Sequence, residues 1–201
     1  MNKWVDKIIK LFVKGGAGRV VLKDLFVVIL IGGLLFGISG VWPPLVAIES
    51  GSMEPNLQEG DLVFLMAVQV GEGKIEDVKT RREGENYYKF GERGDVIVFN
   101  AEGSADLPVI LRVEFWVDEG EDWYDRGNPK WVVGKNCDMM PNCPSPHAGY
   151  ITKGDNNGNY DQADGISGPV RPSWVKGTAE IRIPWMGYIK LIVNEVINLI
   201  I

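Results

Sequence analysis

Two serines separated by a single glycine, Ser50 and Ser52, open the segment Ser50-Gly51-Ser52-Met53-Glu54-Pro55. A serine hydroxyl can attack a carbonyl and form an acyl-enzyme, but it is a poor nucleophile until a neighbouring group accepts its proton. Acceptors are scarce. The chain has one histidine, His147, and an imidazole with an unperturbed pKa of about 6.5 suits the role. Lys153 would serve only if burial lowered its pKa strongly. It opens Lys153-Gly154-Asp155-Asn156-Asn157, with Asp161 six residues after Asp155. Taken alone, both segments read as ordinary turns, because Ser, Asp and Asn bond their own backbone there. Cys137 and Cys143 stand in a Pro-rich stretch that also holds His147. A small disulfide loop is the first reading. A zinc site with His147 would lack a fourth ligand, and free thiols are the third reading. A single histidine excludes a multi-histidine metal centre, and no metal or organic cofactor is expected.

These residues need elements to hold them. The chain has 201 residues, 21 basic and 27 acidic side chains, and a net charge of -6. That balance argues against a nucleic-acid partner, which favours a basic face. No residue between Asp24 and Glu49 is charged, and residues 25–42 are almost wholly apolar. A helix of that length spans roughly 27 Å, close to a bilayer's hydrocarbon core, and Pro43-Pro44 would end it. Residues 1–24 hold six basic and two acidic groups, the remainder 15 basic and 25 acidic. Positive flanks stay in the cytoplasm. A single-pass cell-membrane anchor is therefore expected, with the N-terminus cytoplasmic and residues 43–186 an extracytoplasmic domain. A cleaved secretory signal is the rival, but the basic region is long and no clear cleavage site precedes Pro43.

Within residues 1–24, Lys3, Lys7, Lys10 and Lys14 recur at helical spacing beside Trp4, Val5, Ile8, Ile9 and Phe12. This suits a basic amphipathic helix on an anionic leaflet, with Gly15-Gly16 and Gly18 as a break before the membrane helix. Residues 43–186 read as mainly β, a barrel or sandwich. Runs rich in β-branched and aromatic residues at 62–68, 95–99, 109–116, 131–133, 150–152 and 178–183 alternate with turn-forming clusters. Residues 71–93 form a polar excursion and 117–129 an acidic hairpin or loop. Residues 187–201 are apolar apart from Lys190, Asn194, Glu195 and Asn198. They suit a helix that is interfacial or packed on the domain, being short for a span.

Four segments in order carry a specific resemblance. Ser50-Gly51-Ser52-Met53-Glu54-Pro55 resembles the nucleophile box of type I signal peptidases, S-x-S-M-x-P. Gly60-Asp61-Leu62-Val63, Gly94-Asp95-Val96-Ile97-Val98-Phe99 and Lys153-Gly154-Asp155-Asn156-Asn157 with Asp161 resemble the segments that follow it. The chain is most similar to the archaeal and endoplasmic-reticulum branch. The resemblance implies a β-rich peptidase domain behind an N-terminal transmembrane helix, without cofactor. It implies removal of signal peptides from secretory preproteins at the outer membrane face, beside a translocon. Ser52 would be the nucleophile, its N–H and the Ser50 hydroxyl would support the oxyanion, and Asp155 or Asp161 would orient the base. A surface-anchored adhesion domain would leave the four segments a coincidence.

One position departs from the pattern. This branch carries its general base as a histidine in H-R-[VA], and bacterial members use a lysine in K-R-V. Here the register reads Leu111-Arg112-Val113. Leucine has no lone pair. Deleting the base of a serine hydrolase costs about a million-fold in turnover. Three readings stand: a disabled form of an active peptidase, a silent homologue that binds preproteins without cleaving, or a substitute base at His147 or Lys153.

Overall fold

The computed structural model describes residues 16–70, 73–100, 108–189 and 192. The expected amphipathic segment at 1–14 lies outside them, as does most of 187–201, of which 187–189 and 192 are helical. The chain divides into two units between Gly40 and Val41.

The first unit holds helix α1, Gly16–Ser39. Gly16 and Gly18 were expected to break the chain and instead lie inside the helix. A glycine in a helix costs only about 1 kcal/mol against alanine, and the run from Arg19 onward supplies helix formers. The helix also stops short of Pro43-Pro44. Gly40 adopts a left-handed φ of 69° and donates its N–H to the Phe36 carbonyl at 2.8 Å, the αL cap that closes a helix without a proline. Leu22–Ser39 has a mean hydropathy of 2.1 and is 6% buried. By length and composition it can cross a membrane.

The second unit is built around one antiparallel sheet. Its strands are β1 (Leu45–Ala47), β2 (Leu62–Met66), β5 (Val96–Phe99), β6 (Val109–Val117), β7 (Gly149–Lys153) and β8 (Val175–Ile183), in the order β1-β2-β8-β5-β6-β7. A two-stranded ribbon, β3 (Tyr88–Lys89) with β4 (Glu92–Arg93), stands apart. In β2 the pleat buries Val63 and Leu65 and leaves alternate residues partly open. All four residues of β5 are buried, as expected of a strand between two neighbours. One apolar cluster joins Met53, Leu57, Val63, Leu65, Ile97, Leu111 and Val113 among others. A second gathers Phe115, Trp123, Ile151 and Tyr160.

Residues 131–133, expected as a strand, form none. Trp131 instead stands edge-on to Tyr160 with ring centroids 5.6 Å apart, and Val132 and Val133 pack on the second cluster. Their apolar character serves a loop wall, and among the described residues no partner strand runs beside them.

Candidate active site

Ser52 sits in a single 3-10 turn, Gly51–Met53. Met53 and Leu57, both fully buried, pin the turn to the first apolar cluster while Ser52 stays partly open. The Ser50 and Ser52 hydroxyl oxygens are 3.3 Å apart. Both line a cavity of about 550 Å3. Its walls include Val46 and Ala47 of β1, Leu65 of β2, and Val109 and Ile110 of β6; Glu49 and Lys176 add charge.

The segment after β7 clasps the same turn. Asn156 donates its backbone N–H to the Ser52 carbonyl at 2.9 Å, and its side-chain amide to the Gly51 carbonyl at 3.1 Å. Gly154 makes this approach feasible, because a Cβ there would stand 2.6 Å from the Ser52 carbonyl oxygen and 2.7 Å from Asn157 Cγ.

Leu111 is 2% exposed and belongs to the same cluster as Met53. Strand β6 lies against the 51–53 turn. The residue before Leu111, Ile110, reaches the cavity wall, whereas Leu111 is buried within the first apolar cluster. His147 and Lys153 do not line the cavity. His147 stands edge-on to Trp174 at 5.7 Å, with Nδ1 3.1 Å from the Ala148 carbonyl. Lys153 donates to the Gly154 carbonyl at 2.8 Å and lies 4.7 Å from the Trp131 ring centroid. Burial lowers its pKa.

The two aspartates occupy different settings. Asp155 accepts from Arg112 Nε and Nη2, each at 2.7 Å, and from Asn56 Nδ2 at 2.8 Å. Arg112 has no exposure and spends its remaining nitrogen on the carbonyls of Lys89 and Gly94, each at 2.8 Å, and of Glu92. The bidentate pair thus links β6, the 155–157 turn and the loop after Ser52. Asp161 accepts from Asn157 Nδ2 at 3.1 Å, and burial pushes its pKa up to about 6. Neither carboxylate oxygen of Asp155 is left without a donor.

Asn56 and the ion pair of Arg112 lie outside the expected site residues. The signal for Arg112 was present: one guanidinium in the otherwise apolar run Val109–Val113 demands a buried acid. Asn56 offers no such signal, being a common turn residue.

Cys137 and Cys143 are joined by a disulfide. With both sulfurs in the bridge, neither is available as a thiolate ligand, which closes the zinc reading.

A family model described as signal peptidase, peptidase S26, matches residues 20–114. The chain is similar to the protein named signal peptidase complex catalytic subunit sec11 of Aspergillus oryzae, 30% identical over 155 residues, 76% of this chain and 66% of that one. The Aspergillus terreus protein of that name is 30% identical over 160 residues, 78% of this chain and 69% of that one. That of Emericella nidulans is 29% identical over 155 residues. The chain spans about two-thirds of the length of these relatives. An S-x-S-M-x-P turn clasped by a G-D-N-N segment, a mainly β unit, an apolar N-terminal helix and these matches place the chain in the signal peptidase family, peptidase S26.

Proposed function

We propose that this chain recognises signal peptides of secretory preproteins in the Ser52 cavity, as a membrane-anchored serine endopeptidase whose cleavage step is throttled at residue 111. The observation that carries the reading is the cavity itself. The Ser50 and Ser52 hydroxyls stand at an apolar trough of about 550 Å3 walled by Val46, Ala47, Leu65, Val109 and Ile110. A trough of this kind suits the small apolar residues that precede a signal cleavage site. Among the described residues β1 pairs only with β2, so an extended substrate can add along its other edge. Ser52 would attack the scissile carbonyl, with its N–H and the Ser50 hydroxyl on the oxyanion.

The anchor and flanking charges support a cytoplasmic N-terminus and an outer catalytic domain. Tethering raises the effective concentration of a membrane-held substrate. The relatives are named subunits of a signal peptidase complex, and assembly with further subunits beside a translocon forms part of the proposal. The burial of Leu111 favours a second reading, a binder that retains preproteins without cutting them.

A processing assay separates the two. A preprotein in proteoliposomes is offered to the unmodified chain, to Leu111→His and to Leu111→His with Ser52→Ala. Slow cleavage, then a gain of at least about a hundredfold, then none is the expected series. No gain in Leu111→His, in protein that still binds the preprotein, would favour the binder.

A further inference from the structure

Away from Ser52, the second unit carries a hollow of about 470 Å3. It is lined by four arginines, Arg81, Arg82, Arg93 and Arg126, together with Phe115, Trp131 and Tyr160 and the buried Glu114. This concentration of cations is unexpected in a chain of net charge -6. We propose that this hollow binds a phosphoryl group, free or on a lipid headgroup.

The walls are held before any ligand arrives. Arg81 and Arg82 donate their backbone N–H groups to the carbonyls of Val113 and Glu114 at 2.9 and 3.3 Å. On the other side, the Asn128 N–H donates to the Tyr160 hydroxyl at 3.0 Å. The pairing of β6 with β7 shifts register between Val113 and Phe115. Such a bulge re-aims side chains, and consecutive Glu114 and Phe115 both reach the hollow.

The guanidinia lie over ring faces: Arg81 5.6 Å from the Trp131 centroid, Arg82 5.7 Å and Arg126 5.3 Å from that of Phe115. Ring stacking leaves the N–H edges of a guanidinium to an anion. Two of the four are already engaged. Arg81 bonds Glu114 and Glu92, each at 3.0 Å, and Arg126 bonds Glu121 and the Trp116 carbonyl. Arg82 and Arg93 have no carboxylate within ion-pair distance among the described residues and are exposed. They offer unspent donors of the fork geometry that matches phosphate oxygens. The hollow exceeds the size of one carboxylate, which favours a phosphoryl group and its substituent over a single acidic side chain.

The test is calorimetric titration of the full chain in an uncharged detergent, at constant ionic strength set with chloride. The probes are inorganic phosphate, dihexanoyl phosphatidylglycerol and tetraglutamate. Saturable binding of phosphate, or of the lipid alone, is expected, and the lipid alone would name the headgroup as the source. The double variant Arg82→Gln/Arg93→Gln should weaken binding at least about tenfold. Arg171→Gln, which removes an arginine stacked on Trp174 outside the hollow, should leave it unchanged. No saturable binding, binding of tetraglutamate only, or equal affinity in the double variant would overturn the proposal.

Discussion

At the scale of residues, the second unit buries two kinds of charged group. The Arg112 guanidinium is buried and doubly bonded to Asp155. Removing one partner of a buried pair leaves an uncompensated charge and costs about 3–5 kcal/mol. Asp155→Asn should therefore lower the urea midpoint of the detergent-solubilised chain by a corresponding amount. An unchanged midpoint would show that the pair does not hold the turn. Glu114 behaves differently. Burial, opposed by Arg81, pushes its pKa from 4.5 up to about 7. The folded chain then binds more protons than the unfolded chain across that window, so this group's contribution makes stability fall as pH rises from about 4.5 to 7. Glu114→Gln should flatten the decline by up to about 1.4 kcal/mol per pH unit, read from urea unfolding between pH 5 and 7. The part due to Asp161, raised from 3.8 to about 6, should remain.

At the scale of elements, the 154–157 turn and the 51–53 turn meet backbone to backbone, and Gly154 permits the contact. Gly154→Ala, placed in the Leu111→His background, should cut preprotein processing at least tenfold, since displacements of about 1 Å cost rates on the order of a hundredfold. Undiminished processing would contradict the clasp. Much of the element layout was legible: β2, β5, β6, β7 and β8 fall on runs that β-branched and aromatic residues mark out. β1 escaped because three residues after Pro43-Pro44 carry too little pattern. The strand expected at 131–133 failed because Trp131 is apolar for the sake of Tyr160 and the cations above it. The helix end was misread because Pro43-Pro44 is conspicuous, whereas Gly40 acts through its φ. In the site, Ser50, Ser52, Asp155 and Asp161 stand out in the sequence as an ordered set. The contacts among Arg112, Asp155 and Asn56 join segments 43 to 99 residues apart, and no local pattern encodes such distances.

At the scale of the whole molecule, one covalent link lies outside the sheet among the described residues. The Cys137–Cys143 bridge closes a short loop. Replacing both with serine should cost about 2 kcal/mol by loop-closure entropy, measured as a lower urea midpoint, while Leu111→His processing persists because neither cysteine lines the Ser52 cavity. By length and composition the apolar helix α1 can cross a membrane. Leu30→Arg puts a charge mid-helix at about 3 kcal/mol, and the membrane-inserted fraction should fall in a microsomal insertion assay.

In the proposed mechanism, residue 111 would carry the proton acceptor that Ser52 needs. The pH dependence of kcat/KM for Leu111→His tests it most directly. An imidazole acting as base predicts activity that rises with unit slope and levels off around a midpoint of about 6.5; a lysine at 111 should move that midpoint upward. A flat profile, or one with the same midpoint for both substitutions, would contradict the account.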